Sequence, residues 1–137
     1  MDQDTTSHEA LPKAVRRWYD IAAAKDASQL PGILADGVVF RSPAVHTPQE
    51  GRALTTAYLS AALAVLGPSL RYHRNWISDT SAVLEFTAEL DGLQVHGIDM
   101  IAWDEHDRLV EFTVMVRPMK GLHRLVELMG AQLQSGH

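Results

Sequence analysis

Between Leu93 and Val116 the apolar residues fall in two long runs, separated by Asp104-Glu105-His106-Asp107-Arg108, all polar or charged. That pattern predicts two antiparallel strands joined by a hairpin turn. Both runs hold more apolar and β-branched residues than a half-wet sheet needs, so much of each is expected to be covered on both faces. Just upstream, Leu84, Phe86, Ala88 and Leu90 alternate with Glu85, Thr87, Glu89 and Asp91, the period of a half-buried strand. Asp91-Gly92 then supplies a tight hairpin turn into the next run. Another strand is predicted near Leu70–Ile77, turning at Ser78-Asp79-Thr80. A short one at Val38-Val39-Phe40 ends at Ser42-Pro43.

Helical spacing appears elsewhere. Leu11, Ala14, Val15, Trp18, Ile21 and Ala22 mark one buried face, with Pro12 in the first turn. A short second helix runs through Leu30 to Leu34. A long, alanine-rich helix is expected to bury Leu54, Ala57, Tyr58, Ala61, Ala62 and Val65, and Gly67-Pro68 stops it. After Pro118, the residues Leu122, Leu125, Val126, Met129 and Leu133 repeat at helical spacing. Residues 1–10 read as a loose lead-in and residues 11–137 as a single domain. The order is helix, helix, strand, helix, a four-strand meander and a last helix. It implies an α+β fold, a curved, mainly antiparallel sheet wrapped over helices.

Composition narrows the function classes. The 137 residues can bury a core without staples, and there is no cysteine, hence no disulfide, thiolate metal site or cysteine nucleophile. Lys and Arg number 12 against 17 Asp and Glu, a formal charge of −5. With no basic stripe interleaved with aromatics, nucleic acid is not the expected partner. No apolar run approaches the ~20 residues of a membrane span, and the N-terminus has no signal-peptide core. A soluble, cytoplasmic protein is expected. The words His-Glu-x-x-His, a glycine-rich phosphate loop and Gly-x-Ser-x-Gly are all missing, so neither a metal nor a cofactor is expected.

Asp99 stands out. By the two-residue period it shares a face with Val95, Gly97, Ile101 and Trp103, and a bare carboxylate there would cost several kcal/mol. It therefore reads as the wall of a lined pocket, either as an acid with a raised pKa or as a structural carboxyl bonded to Trp18, Tyr19 or Tyr58. His73 is the candidate base, its alternative being a solvated outer-face residue between Arg71 and Arg74. Parity leaves open whether His73 or Arg74 faces inward beside Tyr72 and Trp76. Trp18, Tyr58, Trp76, Trp103 and Phe112 are candidate lining residues, or simply core. His46 reads as an exposed loop residue, and His96 lies on the face opposite Asp99.

The words Phe40-Arg41-Ser42-Pro43, Gly51-Arg52, Gly97-Ile98-Asp99 and Leu109-Val110-Glu111-Phe112-Thr113-Val114-Met115-Val116-Arg117-Pro118, in this element order, resemble the nuclear transport factor 2-like superfamily, and within it the SnoaL-like group. The resemblance spans roughly residues 11–134. It implies a cone: a bent sheet closed by helices around an apolar pocket, in many members paired through the outer sheet face. The superfamily includes ketosteroid isomerases, polyketide cyclases, epoxide hydrolases and binding modules, so fold does not choose the reaction. Compared with ketosteroid isomerases, Asp99 matches the oxyanion acid. Ser42 stands where their general base lies, and Trp18, with Tyr19 one residue away, stands where their oxyanion tyrosine lies. One of three roles is retained.

The expectation is a cofactor-independent isomerase, cyclase or dehydratase acting on a small hydrophobic molecule through Asp99. His73, or a water held by Ser42 and Tyr19, would be the base. The competing expectation is a binding or dimerisation module without chemistry, favoured by the missing second titratable group. His96, Ile98, Met100 and Ala102, with Thr113 and Met115, predict an apolar outer patch and a two-fold homodimer.

Overall fold

The computed structural model describes residues 10–135. The expected lead-in falls almost wholly outside them. The elements are α1 (Lys13–Ala24), α2 (Leu30–Ile33), β1 (Leu34–Arg41), β2 (Gln49–Glu50), α3 (Arg52–Leu66), β3 (Arg71–Ile77), β4 (Ser81–Leu90), β5 (Leu93–Trp103), β6 (Leu109–Arg117) and α4 (Met119–Ser135). They form one mixed six-stranded sheet in the order β2-β1-β6-β5-β4-β3. The meander β3 to β6 is antiparallel throughout, whereas β1 lies parallel to β6. Pro12 sits one position before the first turn of α1, as its N-cap.

Local chemistry fixes the register. Asp91 and Gly92 both have positive φ, 51° and 84°, so the turn carries the twist that two paired strands need. From it β4 and β5 pair without interruption, Leu90 with Leu93 out to Ser81 with Ala102. That register puts Phe86 opposite Gly97 and Leu84 opposite Asp99, all on the inner face. In the turn after β5, Asp104 Oδ1 accepts the backbone N–H groups of His106 and Arg108, which hold its carboxyl below the usual range.

The helices cover one face of the sheet. On α1, Val15 and Trp18 point into the core, and Trp18 meets Phe112 of β6 edge to face at 4.9 Å. On α3 the buried stripe is Thr55, Leu59, Leu63 and Leu66, with Ala61; Leu54 is 42 % exposed and Ala57 is also outside. The expected stripe was rotated because the helix is apolar nearly all round, so spacing alone does not orient it. α4 lies across the open end. Gly121 allows that approach, since a Cβ there would come within 2.5 Å of Val95 Cγ1 on β5. Arg124 ties the helix to the hairpin turn through Asp91 and also pairs with Glu127 at 2.8 Å. Besides Gly121, Leu125 and Met129 are buried on α4, while Val126 faces outward.

Candidate functional site

Under the helices lies a small cavity, about 30 Å³, with room for a water-sized guest. Its wall draws on every layer: Trp18 from α1, Phe40 from β1, Leu59 and Leu63 from α3, Phe112 from β6, Met129 from α4. Asp99 and Tyr72 are the two polar members of that wall besides the indole of Trp18.

Asp99 is 4 % exposed. Burial pushes its pKa up to about 7, while the hydrogen bond from Tyr72 pulls the other way. About half of the molecules thus carry a neutral carboxyl at pH 7, where an ordinary aspartate is almost wholly ionised. Its partner is Tyr72, whose hydroxyl donates to Asp99 Oδ2 at 2.5 Å. The Trp18 indole N–H in turn donates to the Tyr72 oxygen at 2.8 Å. Burial and the neighbouring Asp99 raise the Tyr72 phenol well above its ordinary value. Tyr19 packs against Tyr72 with ring centroids 5.0 Å apart, and Asn75 Nδ2 donates to its hydroxyl at 3.2 Å. Tyr19 is shifted upward as well, mainly by burial.

Sequence parity set Tyr72 inward beside Trp76 but gave it no role, and a β-bulge shows where that parity fails. In β3, Tyr72 pairs with Phe86 but Asn75 pairs with Leu84, so His73 and Arg74 together face the single residue Glu85. The bulge turns both Tyr72 and Asn75 inward and puts His73, Arg74 and Trp76 outside. A strict two-residue alternation cannot place all five.

Several expectations are corrected by this geometry. His73 is exposed, with Nε2 2.7 Å from Thr87 Oγ1, and it does not reach Asp99. Arg74 is not inward either: its guanidinium grips Glu85 at 2.7 and 2.9 Å. Trp76 is 51 % exposed on the outer face, beneath Arg74 at 5.2 Å, and lines no pocket. Trp103 is buried at the far end of β5, away from the cavity. Tyr58 packs on Phe40 and borders a surface groove between α3 and α4 instead. Ser42 accepts the Ala44 N–H at 3.0 Å in a loop turn, and its neighbour Pro43 is the residue that reaches the cavity. Trp18, Phe112 and Asp99 stand where the sequence put them. Tyr19 stands one layer behind.

On the outer face Glu85 is only 8 % exposed and accepts from Arg74 and, at 2.8 Å, pairs with His96. The Arg74 guanidinium is the main cause that brings its pKa down to about 2. Among the described residues no group of three His, Asp or Glu side chains is arranged to hold a metal, and no helix is long and apolar enough to cross a membrane.

Comparison with known proteins fits this architecture. The SnoaL-like domain matches residues 15–112. A steroid delta-isomerase from Pseudomonas aeruginosa is 40 % identical, with a TM-score of 0.85 over 90 % of each chain. An uncharacterised bacterial protein with a cystatin-like fold, from Silicibacter pomeroyi, is 27 % identical, with a TM-score of 0.84 over 90 % of this chain and 86 % of that one. An NTF2-like protein of unknown function from Mesorhizobium loti shares the fold at 20 % identity, with a TM-score of 0.69 over 86 % of this chain and 98 % of that one. No curated protein matches the chain in sequence. A helix-covered mixed sheet with the NTF2-like fold and a match over most of the chain lead to one assignment: the chain belongs to the SnoaL-like domain family.

Proposed function

We propose that this chain takes up a small hydrophobic molecule bearing an oxygen acceptor, and that neutral Asp99 donates a hydrogen bond to that oxygen. The observation that carries the reading is a carboxyl 4 % exposed in a wall otherwise built mainly of aromatic and aliphatic side chains. A donor aimed at a carbonyl stabilises negative charge developing on the oxygen, which serves isomerisation, cyclisation or dehydration without a cofactor. The steroid delta-isomerase relative supports an oxygenated ring compound as the substrate class. A guest larger than water needs some of the lining side chains to give way.

A second reading, a binding module without turnover, has its own support. Proton abstraction from carbon needs a base, and the cavity wall offers no titratable group besides Asp99 and Tyr72. Titration calorimetry with cyclohexanone and its hydrocarbon counterpart methylidenecyclohexane tests the shared core of both readings. Ketone affinity should fall about tenfold per pH unit above 7, as the donor is lost, with far less change for the hydrocarbon. The Asp99→Leu variant should lose that slope. Ketone binding that is flat from pH 5 to 9, or no binding, contradicts the proposal. A suitable substrate screen then separates the readings by turnover.

The outer face suits a second copy of the chain. Trp76, Val83, Met100 and Thr113 form one row across the sheet, and Ile98 beside Met115 forms part of the next. Met115 is 52 % exposed, Trp76 51 % and Met100 39 %, so this face is not covered within the chain as its composition had suggested. Glu85 enters the face already paired with Arg74 and His96, and burying it there leaves no bare charge. Light scattering at micromolar concentration should give a dimer for the native chain and a monomer for Met115→Asp. A native monomer sinks the idea.

A further inference from the structure

We propose that Trp18 and Tyr72 form a one-way hydrogen-bond relay that fixes which Asp99 oxygen carries the proton, and so restricts the ligand to molecules that accept a hydrogen bond. The inference deepens the proposed function and rests on it for the ligand. The relay itself is a property of the free protein.

The Trp18 indole sets the direction. Its N–H can donate and cannot accept, so the 2.8 Å contact makes the Tyr72 oxygen an acceptor. A phenol that accepts there still has one proton of its own, and Asp99 Oδ2 lies 2.5 Å away to receive it. Oδ2 is thus occupied as an acceptor. The remaining proton of the neutral carboxylic acid belongs on Oδ1, where it is available to a guest. With the polarity reversed, the same carboxyl would call for a ligand that donates. A ketone or ether oxygen suits the relay; a group that can only donate, such as an ammonium or an indole N–H, does not.

The surrounding packing keeps Tyr72 in place. Its ring sits between Tyr19, at 5.0 Å, and Phe86, at 6.0 Å and nearly perpendicular. The β3 bulge points the side chain inward, as bulges beside functional sites often do. The titratable groups facing Asp99 are Tyr72 on β3 and Tyr19 on α1. The residues that α3, α4, β1 and β6 contribute to the cavity are all uncharged and apolar. Tyr72 is therefore a positioning residue. It acts on a ligand only through Asp99.

The test follows the Asp99 carboxyl by carbon-13 NMR across pH in the unliganded protein. Tyr72→Phe keeps the ring but removes the donor to Oδ2, so the Asp99 midpoint should rise by about one unit. Trp18→Phe should raise it by less, since Tyr72 can still donate but is no longer held to it. Midpoints unchanged in both variants overturn the relay. Should either variant fold poorly, the other reports the same quantity. Cyclohexanone binding separates this inference from the function beneath it. Ketone binding in the native chain with an unmoved midpoint in the variants defeats the relay alone. A shifted midpoint with no ketone binding at any pH leaves the relay standing and defeats the proposed ligand class.

Discussion

Replacing Asp99 with Asn is expected to make the protein more stable at pH 8 while changing little at pH 4. The carboxyl has a folded-state pKa of about 7 against an ordinary 3.8, because burial disfavours its charged form. A raised folded value means its stabilising contribution is fully present below pH 3.8 and is lost as pH rises through 7. The interval is about three pH units, so wild type loses about 4 kcal/mol from this one group by pH 8. An asparagine keeps the shape, can accept from Tyr72 and has no proton to lose. The difference between the two proteins cancels every other titrating group, including Glu85, whose depressed pKa acts at the acidic end with the opposite sign. Urea unfolding at pH 4, 6 and 8 measures it. An Asp99→Asn protein that tracks wild type at all three values would show that the carboxylate ionises at no cost.

Gly97→Ala is expected to lose about 3 kcal/mol in the same unfolding assay, at the upper end of ordinary overpacking. A Cβ on residue 97 would stand 2.4 Å from the Met115 carbonyl oxygen on β6 and 2.6 Å from Phe86 Cζ on β4. The ring can shift slightly; the backbone carbonyl, held in the sheet, cannot. The gain in strand propensity over glycine is smaller than this clash. Phe86 is also the ring that packs edge-on against Tyr72, so its displacement should carry into the cavity and move the Asp99 midpoint. A Gly97→Ala protein within 0.5 kcal/mol of wild type, an order-of-magnitude margin for neutral substitutions, would mean the strands separate there more easily than their register suggests.

These residues also show how far the chain can be read without coordinates. Asp91-Gly92 announces its turn because left-handed backbone at both positions selects those residue types, and once that turn is set the pairing of β4 with β5 follows. Asp99 is then inward by parity alone, opposite Leu84. On β3 the same logic breaks down at His73 and Arg74, where one extra residue resets the alternation and no residue type gives warning. Alternation therefore leaves open which of His73 and Arg74 faces inward and sets Trp76 beside Tyr72, whereas all three lie outside and Tyr72 alone holds the contact that matters. The face of α3 was hidden for a different reason: an apolar helix gives no contrast between its sides. The parallel pairing of β1 with β6 joins residues about seventy positions apart, and no local signal reports it. Cavity size depends on how side chains from eight elements meet. No single stretch encodes that.

The most direct measurement is the titration of Asp99 itself in the native protein, by NMR with carbon-13-labelled aspartate and with Asp99→Asn to identify the resonance. A midpoint near pH 7, well separated from the surface aspartates, is the predicted result. A midpoint near pH 4 would place an ionised, solvated carboxylate in that wall, and the neutral donor on which the proposed function depends would not exist.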